Sequence, residues 1–389
     1  MATVLKIAGG IVLLLIVLAG LTITIVPRFL DRIYYRGAAS DHYDGERFFN
    51  PDGDQDTVRI PAGGSRAGFF WRYLTGSDGR PAWPRHVDVA NAILPPRVLG
   101  DRMLVTWVGH ATVLIQTQGL NILTDPVWSD KAGPLGTGPR RVAAPGIAFD
   151  SLPKIDLVLV SHNHYDHLDK STLKRLWDRD RPTIVTSLGN DSVIGQTGAK
   201  VVALDWHQRV TIRPGVEVIA ARNHHWGSRW FTDRNRALWS AFVIRLPGGN
   251  IFFAGDTGWG DGNWPAEVAA LGPIRFAMIP IGAFRFAEGQ LSSGSHIGPG
   301  EAALIYQRLG AANALPIHWG TFRLSYEAYD TPPKLLAAAM ACVGRTGFEP
   351  AEIGVPREVP LYAQPAPGRP MDRVAMTRCL HTSELRKLR

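Results

Sequence analysis

Apolar and polar positions divide the chain into parts with different patterns. Residues 7–26 form an uncharged apolar stretch, and its length matches that of a helix spanning a bilayer. Residues 37–100 are rich in Gly, Pro and Asp and show little periodicity, so we expect irregular chain packed over a main domain. From Met103 onward, short apolar runs separated by Gly turns predict a succession of strands.

The same patterns predict individual elements of the main domain. Strands are predicted at residues 104–108, 112–116, 121–124, 155–160, 183–186, 201–204, 216–219, 240–244 and 250–254. Helices are predicted at residues 170–179, 299–309 and 332–343. Runs of strands with helices between the blocks predict an α/β fold of stacked sheets covered by helices. The tail beyond about residue 365 is Pro-rich and then basic, and we expect it to be mobile.

Four segments follow from this division of the chain. They are a membrane anchor with a basic flank at 1–36, an irregular segment at 37–100, the main domain at 101–365, and a basic tail at 366–389. A cleaved signal peptide is the alternative for the apolar stretch, but its length and the lack of a small-x-small cleavage site favour an uncleaved transmembrane helix. Arg28, Arg32 and Arg36 favour a cytoplasmic main domain, whereas Lys6 argues weakly for the periplasmic side.

Composition adds a few limits. The hydrophobic content of 45% and the charged content of 20% are ordinary for a packed globular protein, so no disulfide is needed to stabilise the core. Cys342 and Cys379 lack zinc-finger spacing and do not decide the redox compartment. The net charge of +8 favours anionic partners such as lipid headgroups, or else only a solvated surface. The absence of a basic, aromatic-interleaved module argues against nucleic acid.

The strongest chemical signal is the cluster at residues 162–167, which directly follows the predicted strand at 155–160. A strand that ends in a turn can direct His162 and His164 at one point, and Asp166 and His167 at a second point nearby. Imidazole and carboxylate ligands suit zinc or a similar divalent ion. A polar turn without a metal is the alternative, and this spacing makes it improbable.

Three later segments each supply one further candidate ligand next to a predicted strand end or Gly turn. They contain His224-His225-Trp226, Ala254-Gly255-Asp256, and Ile317-His318-Trp319. A single histidine beside a tryptophan is more often a structural core residue. Taken together, and in this order behind the first cluster, the three segments predict a site for two metal ions.

In this order, the histidines and aspartates resemble the ligand signature of the metallo-β-lactamase fold hydrolases, His-x-His-x-Asp-His followed by His, Asp and His. The chain further resembles the branch of phospholipases D that hydrolyse N-acylphosphatidylethanolamine, over roughly residues 40–365. The motifs that carry this likeness lie at residues 106–112, 124–126, 138–141, 161–169, 254–258, 279–283 and 317–322. The resemblance implies a four-layer αββα sandwich at 101–365, preceded by a transmembrane helix.

The resemblance also implies roles for particular residues. The first of two zinc ions would bind His162, His164 and His225, the second Asp166, His167 and His318, and Asp256 would bridge them. His225 is preferred to His224 because His225-Trp226, Arg229 and Leu238-Trp239 reproduce the family pattern. Asp125 would orient a ligand histidine.

Two further histidines have less defined roles. His110 would line the pocket or serve only the structure. His296 would act at the mouth of the site, although its Gly and Ser-rich loop at 288–298 departs from the family pattern.

We therefore expect a zinc-dependent phosphodiester hydrolase. A hydroxide shared by the two metals would attack N-acylphosphatidylethanolamine and yield N-acylethanolamine and phosphatidic acid, with Asp166, Asp256 and His296 as the catalytic set. Bacterial members of this branch also resemble sugar-phosphate lactonases, so a lactone or a soluble phosphoester is the alternative substrate. Antibiotic hydrolysis and a non-catalytic membrane-anchored binding protein are remoter alternatives. Dimers are known in the branch, so the resemblance alone suggests a homodimer.

Overall fold

The computed structural model describes residues 2–30, 34–53, 79–230, 232–287, 289–382 and 384–388. Thirteen strands in these residues form two sheets. Six strands of the first sheet are β1 (Met103–Gly109), β2 (Thr112–Thr117), β3 (Leu120–Thr124), β4 (Leu157–Val160), β5 (Thr183–Ser187) and β6 (Val201–Leu204). The second sheet contains β7 (Arg209–Arg213), β8 (Val216–Ala221), β9 (Ala241–Arg245), β10 (Asn250–Phe253), β11 (Ile274–Pro280) and β12 (Asn313–Ile317). The last strand, β13 (Pro356–Glu358), returns to the edge of the first sheet beside β1.

Two groups of helices cover the outer faces of the sheets. These helices are α2 (Lys170–Asp180), α3 (Asn190–Gly195), α4 (Trp264–Ala269), α5 (Pro299–Arg308), α6 (Thr331–Val343) and α7 (Arg373–Leu380). A further helix, α1 (Ala2–Leu30), belongs to neither group. One apolar cluster joins α2 and α3 to the first sheet, and another joins α4 to α7 to the second sheet. A third cluster lies between the sheets. These layers form the predicted αββα sandwich.

Strand β4 shows how the sequence produces this layering. Successive side chains of a strand point to opposite faces of its sheet. Leu157 and Leu159 therefore pack between the two sheets, whereas Val158 and Val160 pack against the cluster that contains α2. Each fully buried side chain of this size stabilises the fold by roughly 1.5–3 kcal/mol. Both faces of β4 are buried, so its position is fixed from two sides.

Helix α1 is set apart from this core. The span Thr3–Ile25 is long and apolar enough to cross a membrane, and none of it is buried in the rest of the protein. A signal sequence near the N-terminus has the same properties.

The described parts of residues 37–100 contain no helix or extended strand, and they pack on the sandwich. Tyr43 and Phe48 join a small apolar cluster with Trp206 and Trp239. In the same segment, His42 lies 2.6 Å from Asp41 Oδ1 and 2.7 Å from Asp205 Oδ1 through its two ring nitrogens. The aromatic residues at positions 69–73 of this segment lie outside the described residues.

The expectation of a mobile C-terminal tail is wrong for the described residues. The tail contains α7, whose Met376 and Leu380 are buried. A disulfide joins Cys379 of α7 to Cys342 of α6, with the two Cα atoms 6.3 Å apart. The Pro-rich composition does not reveal these contacts, because they depend on groups distant in the sequence.

Sheet topology brings the candidate ligands to one edge. Strands β3 to β6 run parallel to one another, as do β10 to β12. Strand β1 runs in the same direction as β3, because β2 pairs antiparallel with both. Strand β8 runs in the same direction as β10, because β9 pairs antiparallel with both. The carboxyl ends of these strands therefore lie along one edge of each sheet, where loops can hold polar side chains.

Candidate metal centre

The first group of candidate ligands comes from the loop after β4 and from two loops of the second sheet. Its members are His162, His164, His225 and Asp256, whose ligand atoms all lie within 4.8 Å of one another. His164 Nδ1 is 2.8 Å from His162 Nε2 and 3.4 Å from His225 Nε2. Three imidazole nitrogens thus converge on one point, as the sequence predicts.

The second group shares Asp256 with the first. His318 Nε2 lies 3.0 Å and His167 Nε2 3.1 Å from Asp256 Oδ2. Both nitrogens are also 3.5 Å from Asp166 Oδ2. The structure therefore brings all seven predicted ligands together, in two sets that meet at Asp256.

Hydrogen bonding within the site fits a bound cation. Asp256 Oδ1 is buried without a hydrogen-bond partner among the described residues, and His167 Nε2 and His318 Nε2 are buried facing only carboxylate oxygens. Leaving one such polar atom buried and unsatisfied costs about 1–3 kcal/mol. Imidazole nitrogens and carboxylate oxygens that face a common point are suitable ligands for a divalent cation, which would satisfy these atoms.

Electrostatics distinguish the two groups. Burial lowers the pKa of His164 to about 4, and burial with neighbouring imidazoles holds the pKa of His162 and His225 well below the usual value. These rings are neutral at pH 7, so their lone pairs are available to a cation. Burial opposes protonation of His318 as well, but Asp256 and Asp166 raise its pKa to about 9.

The carboxylates of the second group require positive charge nearby. Burial alone would raise the pKa of Asp166 and Asp256, but His167 and the other imidazoles beside them hold both well below the usual range. Both carboxylates are therefore ionised at neutral pH. Positive charge beside them can be supplied by protons on imidazoles or by a metal ion, and the two compete for the same nitrogens.

Asp125 lies behind the second group, directly after β3. Its Oδ2 is 2.6 Å from His167 Nδ1 and accepts a hydrogen bond from Ser161 Oγ, also at 2.6 Å. The backbone N–H of Ser161 donates to Asp125 Oδ1 at 2.7 Å. These contacts hold the ring of His167 with Nε2 towards Asp256, and orientation of this histidine stays the predicted role of Asp125.

His110 follows β1 and lies against the second group. Its Nε2 is 2.9 Å from Asp166 Oδ2, and burial lowers its pKa to about 3. A neutral His110 can donate this hydrogen bond and so restrict the orientation of Asp166. His110, Asp166, His167 and His318 also have ligand atoms within 4.8 Å of one another, so His110 lies directly beside the candidate metal ligands.

His296 lies on the other side of Asp256. Its Nδ1 is 3.8 Å from Asp256 Oδ2, and its side chain is 13% exposed. Burial lowers its pKa to about 4, so the ring is neutral at pH 7. The same loop reaches His225, because the carbonyl of Ser295 lies 2.9 Å from His225 Nδ1.

Several supporting contacts have no clear sequence signal. His224 turns away from the centre, with its Nδ1 3.0 Å from Asp52 Oδ2. Asn50 donates to the carbonyl of His225 at 2.8 Å, so the segment before the main domain holds this ligand from behind. Ser161 was identifiable only as the neighbour of His162, and the carbonyl of Ser295 had no signal at all.

Backbone strain is concentrated at the centre. His110, Asp125 and His318 have positive φ angles of 54°, 30° and 65°. Residues other than glycine rarely adopt this conformation, which costs roughly 1–3 kcal/mol each and persists where surrounding structure enforces it. All three residues directly follow a strand, and the strained turn directs each side chain towards the metal centre.

A cavity of about 690 Å³ opens beside the loop that carries four of the candidate ligands, although none of the seven lines it. Tyr165, between two of the candidate ligands, lines it together with Trp128. Lys131, Arg140 and Lys170 supply a basic wall. The cavity therefore combines apolar surface with positive charge next to the candidate ligands.

Comparisons with known proteins agree with this geometry. A family described as a beta-lactamase superfamily domain matches residues 120–319. An uncharacterised protein of Mycobacterium tuberculosis is 33% identical over 306 residues, which cover 76% of this chain and 75% of that protein. N-acyl-phosphatidylethanolamine-hydrolyzing phospholipase D 1 of Caenorhabditis elegans is 32% identical over 243 residues, covering 60% of this chain and 68% of that protein.

Among solved structures, the metallo hydrolase Igni18 of Ignicoccus hospitalis superimposes with a TM-score of 0.51 at 17% identity. The match covers 67% of this chain and 100% of that one. At this identity the likeness concerns the fold alone.

Proposed function

This chain belongs to the metallo-β-lactamase superfamily, and we propose that it is a binuclear zinc hydrolase that acts as a phospholipase D on N-acylphosphatidylethanolamine. The observation that carries the proposal is the position of Asp256 Oδ2. This atom lies 3.0 Å from His318 Nε2 in one ligand group and 3.8 Å from His225 Nε2 in the other. A carboxylate shared by two ligand groups suits a pair of divalent cations.

Zinc suits the donor set, because the candidate ligands are imidazole nitrogens and carboxylate oxygens without a thiolate. One ion would be held by His162, His164 and His225, and the other by Asp166, His167 and His318, with Asp256 between them. When bound, two such ions supply a water-derived nucleophile at neutral pH and neutralise charge on phosphoryl oxygens.

The remaining polar residues orient the candidate ligands or contact the substrate. Asp125 accepts from His167 Nδ1, which leaves the lone pair of Nε2 directed at the centre. His110 restricts Asp166 in the same way, through the 2.9 Å contact of its Nε2. Neutral His296, beside Asp256, can offer a ring N–H to a phosphoryl or leaving-group oxygen.

A phospholipid substrate is supported by three independent features. The similar C. elegans protein is named for hydrolysis of N-acyl-phosphatidylethanolamine. The basic wall formed by Lys131, Arg140 and Lys170 can attract an anionic phosphodiester, while Trp128 and Tyr165 offer apolar surface to acyl chains. An N-terminal apolar helix would keep the domain beside a bilayer.

For the location, we take α1 as an uncleaved anchor with the catalytic domain on the oxidising side of the membrane. Disulfides persist in oxidising compartments, and Cys342 is joined to Cys379. This placement differs from the cytoplasmic one that the basic residues after the helix favour. A homodimer stays a prediction from the resemblance, and light scattering of the detergent-solubilised protein would test it.

The first experiment measures zinc content together with release of N-acylethanolamine from micellar N-acylphosphatidylethanolamine. Close to two zinc ions per chain with product release would support the proposal. His164→Ala and Asp256→Asn should abolish turnover in folded protein, whereas His224→Gln, whose ring faces Asp52, should retain it. Fast lactone hydrolysis without lipid turnover would refute the substrate, and a folded protein that binds no metal would refute the enzyme.

A further inference from the structure

The Cys342–Cys379 disulfide joins α6 to α7 in the helical layer that covers the second sheet, the sheet whose strand β10 leads into Asp256. We propose that this disulfide is a redox-sensitive brace of the metal centre. When it is closed, it holds α7 against the loops that carry Asp256 and His296, and its reduction releases α7 and loosens them. The inference rests on the proposed metal-dependent function.

Helix α7 is attached to the sandwich by apolar and polar contacts as well as by the disulfide. It is eight residues long, too short to be stable as an isolated helix. Its only buried side chains are Met376 and Leu380. Both pack on the first turn of α5, where a Cβ atom added to Gly300 would lie 2.9 Å from Leu380 Cδ1 and 3.1 Å from Met376 Cγ. The disulfide therefore adds a covalent attachment to the contacts of these two buried side chains.

The first residue of α7 contacts the loop that carries Asp256 and the first turn of α5, which follows the loop that carries His296. Arg373 Nη2 is 2.5 Å from Oε1 of Glu301, a residue that is only 8% exposed. The Arg373 guanidinium also lies 5.1 Å from the ring centre of Trp259, three residues after Asp256. Glu301 in turn lies near Ser292, in the loop that carries His296.

A second connection starts after α7. The carbonyl of Leu388 accepts a hydrogen bond from Arg285 Nη1 at 2.8 Å, and Arg285 Nε donates to the carbonyl of Gln290 at 3.0 Å. Arg285 is buried. The tail is thus linked to the His296 loop at Gln290 through Arg285 and near Ser292 through Glu301.

The His296 loop is coupled directly to the candidate ligands. The N–H of Ile297 donates to the carbonyl of Thr257, next to Asp256, at 2.8 Å. The carbonyl of Ser295 lies 2.9 Å from His225 Nδ1. A shift of this loop would therefore disturb a ligand of the first group and the ligand shared by both groups.

The bridge is open to chemical attack from one side. Cys379 belongs to an exposed part of α7, while Cys342 is buried. A thiolate of an external dithiol can attack the Cys379 sulfur, which breaks the S–S bond and forms a mixed disulfide. The second thiol then displaces Cys379, so that two electrons and two protons pass to the protein, giving two thiols and an oxidised dithiol.

The experiment compares three forms of the full, zinc-loaded chain in detergent. These are the oxidised protein, the protein reduced with dithiothreitol and then desalted, and the Cys379→Ser variant. The exposed substitution Val374→Ser, on the same helix, is the matched control. The readouts are proteolysis within residues 360–372, transfer of zinc to a chromophoric chelator, and release of N-acylethanolamine.

We expect the reduced protein and Cys379→Ser to be cleaved faster at 360–372 and to lose zinc roughly tenfold faster, the scale on which groups behind metal ligands act. Reoxidation should restore both rates in the wild-type chain. Arg373→Gln should raise the rate of zinc loss with the disulfide intact.

Two results would overturn the inference. One is equal zinc loss in the oxidised and reduced forms after thiol titration shows the bridge open. The other is a tail that stays protected from protease in the reduced form. If neither form cleaves the lipid while zinc loss still differs, the proposed substrate fails and the brace stands. Should Cys379→Ser not fold, the reduced and reoxidised wild type give the same comparison.

Discussion

Replacing Asp125 with Asn tests how the second ligand group is held in place. Asp125 is fully buried and belongs to neither of the two ligand groups, although its carboxylate lies within 4.8 Å of ligand atoms of His162 and His167. The substitution keeps the volume of the side chain but replaces one acceptor oxygen with an NH₂ donor. Asn can still accept from the Ser161 N–H, but its NH₂ would then face His167 Nδ1, where Asp125 Oδ2 accepts at 2.6 Å.

The expected magnitude follows from this one contact. A hydrogen bond to a charged group contributes about 1.5–3 kcal/mol, and about 1.4 kcal/mol corresponds to a tenfold change in an equilibrium constant. Loss of the bond frees the ring of His167 to rotate or to change tautomer. We expect zinc affinity at the second group to fall roughly 10–100-fold, with the first group little changed.

The assay is a competition titration of zinc between the protein and a chromophoric chelator. Wild-type protein should retain two tightly bound ions, and Asp125→Asn one tight and one weaker ion, with turnover reduced in parallel. Asp169→Asn is the matched control, because Asp169 is also buried but accepts from Ser129 N–H and Thr172 Oγ. Two tightly bound ions in Asp125→Asn would refute the role assigned to this carboxylate.

Three further predictions concern packing, pH and metal removal. A Cβ atom at Gly258 would lie 1.8 Å from the carbonyl oxygen of Gly294, so Gly258→Ala should lower zinc binding and turnover without changing the circular dichroism spectrum. Gly195→Ala, whose added Cβ atom would meet no atom within 4 Å, should leave zinc binding and turnover unchanged. Burial opposes protonation of His42, but its two aspartate partners raise its pKa. The protonated ring therefore stabilises the fold fully below about pH 6.5, and this stabilisation is lost as the pH rises through the raised pKa. His42→Gln should therefore lower the melting temperature more at about pH 5.5 than at pH 9. Chelation of zinc should lower the melting temperature, since a ligand at 100 times its Kd stabilises by about 2.7 kcal/mol.

Each of these has a clear contrary result. Wild-type zinc binding in Gly258→Ala would mean that the loops around Gly258 and Gly294 can move apart without disturbing the candidate ligands. An equal effect of His42→Gln at both pH values would mean that the charge of His42 does not stabilise the segment. An unchanged melting temperature after chelation would show that the metal does not stabilise the folded state.

The sequence reveals the strands and ligands whose signals are local. Strand β4 is a continuous apolar run, and the cluster from His162 to His167 begins just after it. Asp256 and His318 follow β10 and β12, which run in the same direction within the second sheet. Both residues therefore lie at the same edge of that sheet. Local pattern together with sheet topology therefore accounts for the seven converging side chains.

Other elements depend on contacts that local pattern does not encode. Strand β12 contains Pro316 and β7 has a charged residue at each end, so neither matches a simple strand pattern. Helix α7 is fixed by a disulfide and by Glu301 of another helix. The contact of His110 with Asp166 joins residues 56 positions apart, and either role considered for His110 was compatible with the sequence.

The distribution of candidate ligands over both sheets has a consequence for biosynthesis. A chain that emerges from a ribosome or a translocation channel amino end first delivers the His162 segment with the first sheet. His225, Asp256 and His318 arrive only with the second. Neither half alone contains a full ligand set, so metal acquisition follows synthesis of almost the whole domain. Nascent or truncated chains that end before His318 would acquire at most the first ion, and zinc content would then distinguish completed from interrupted chains.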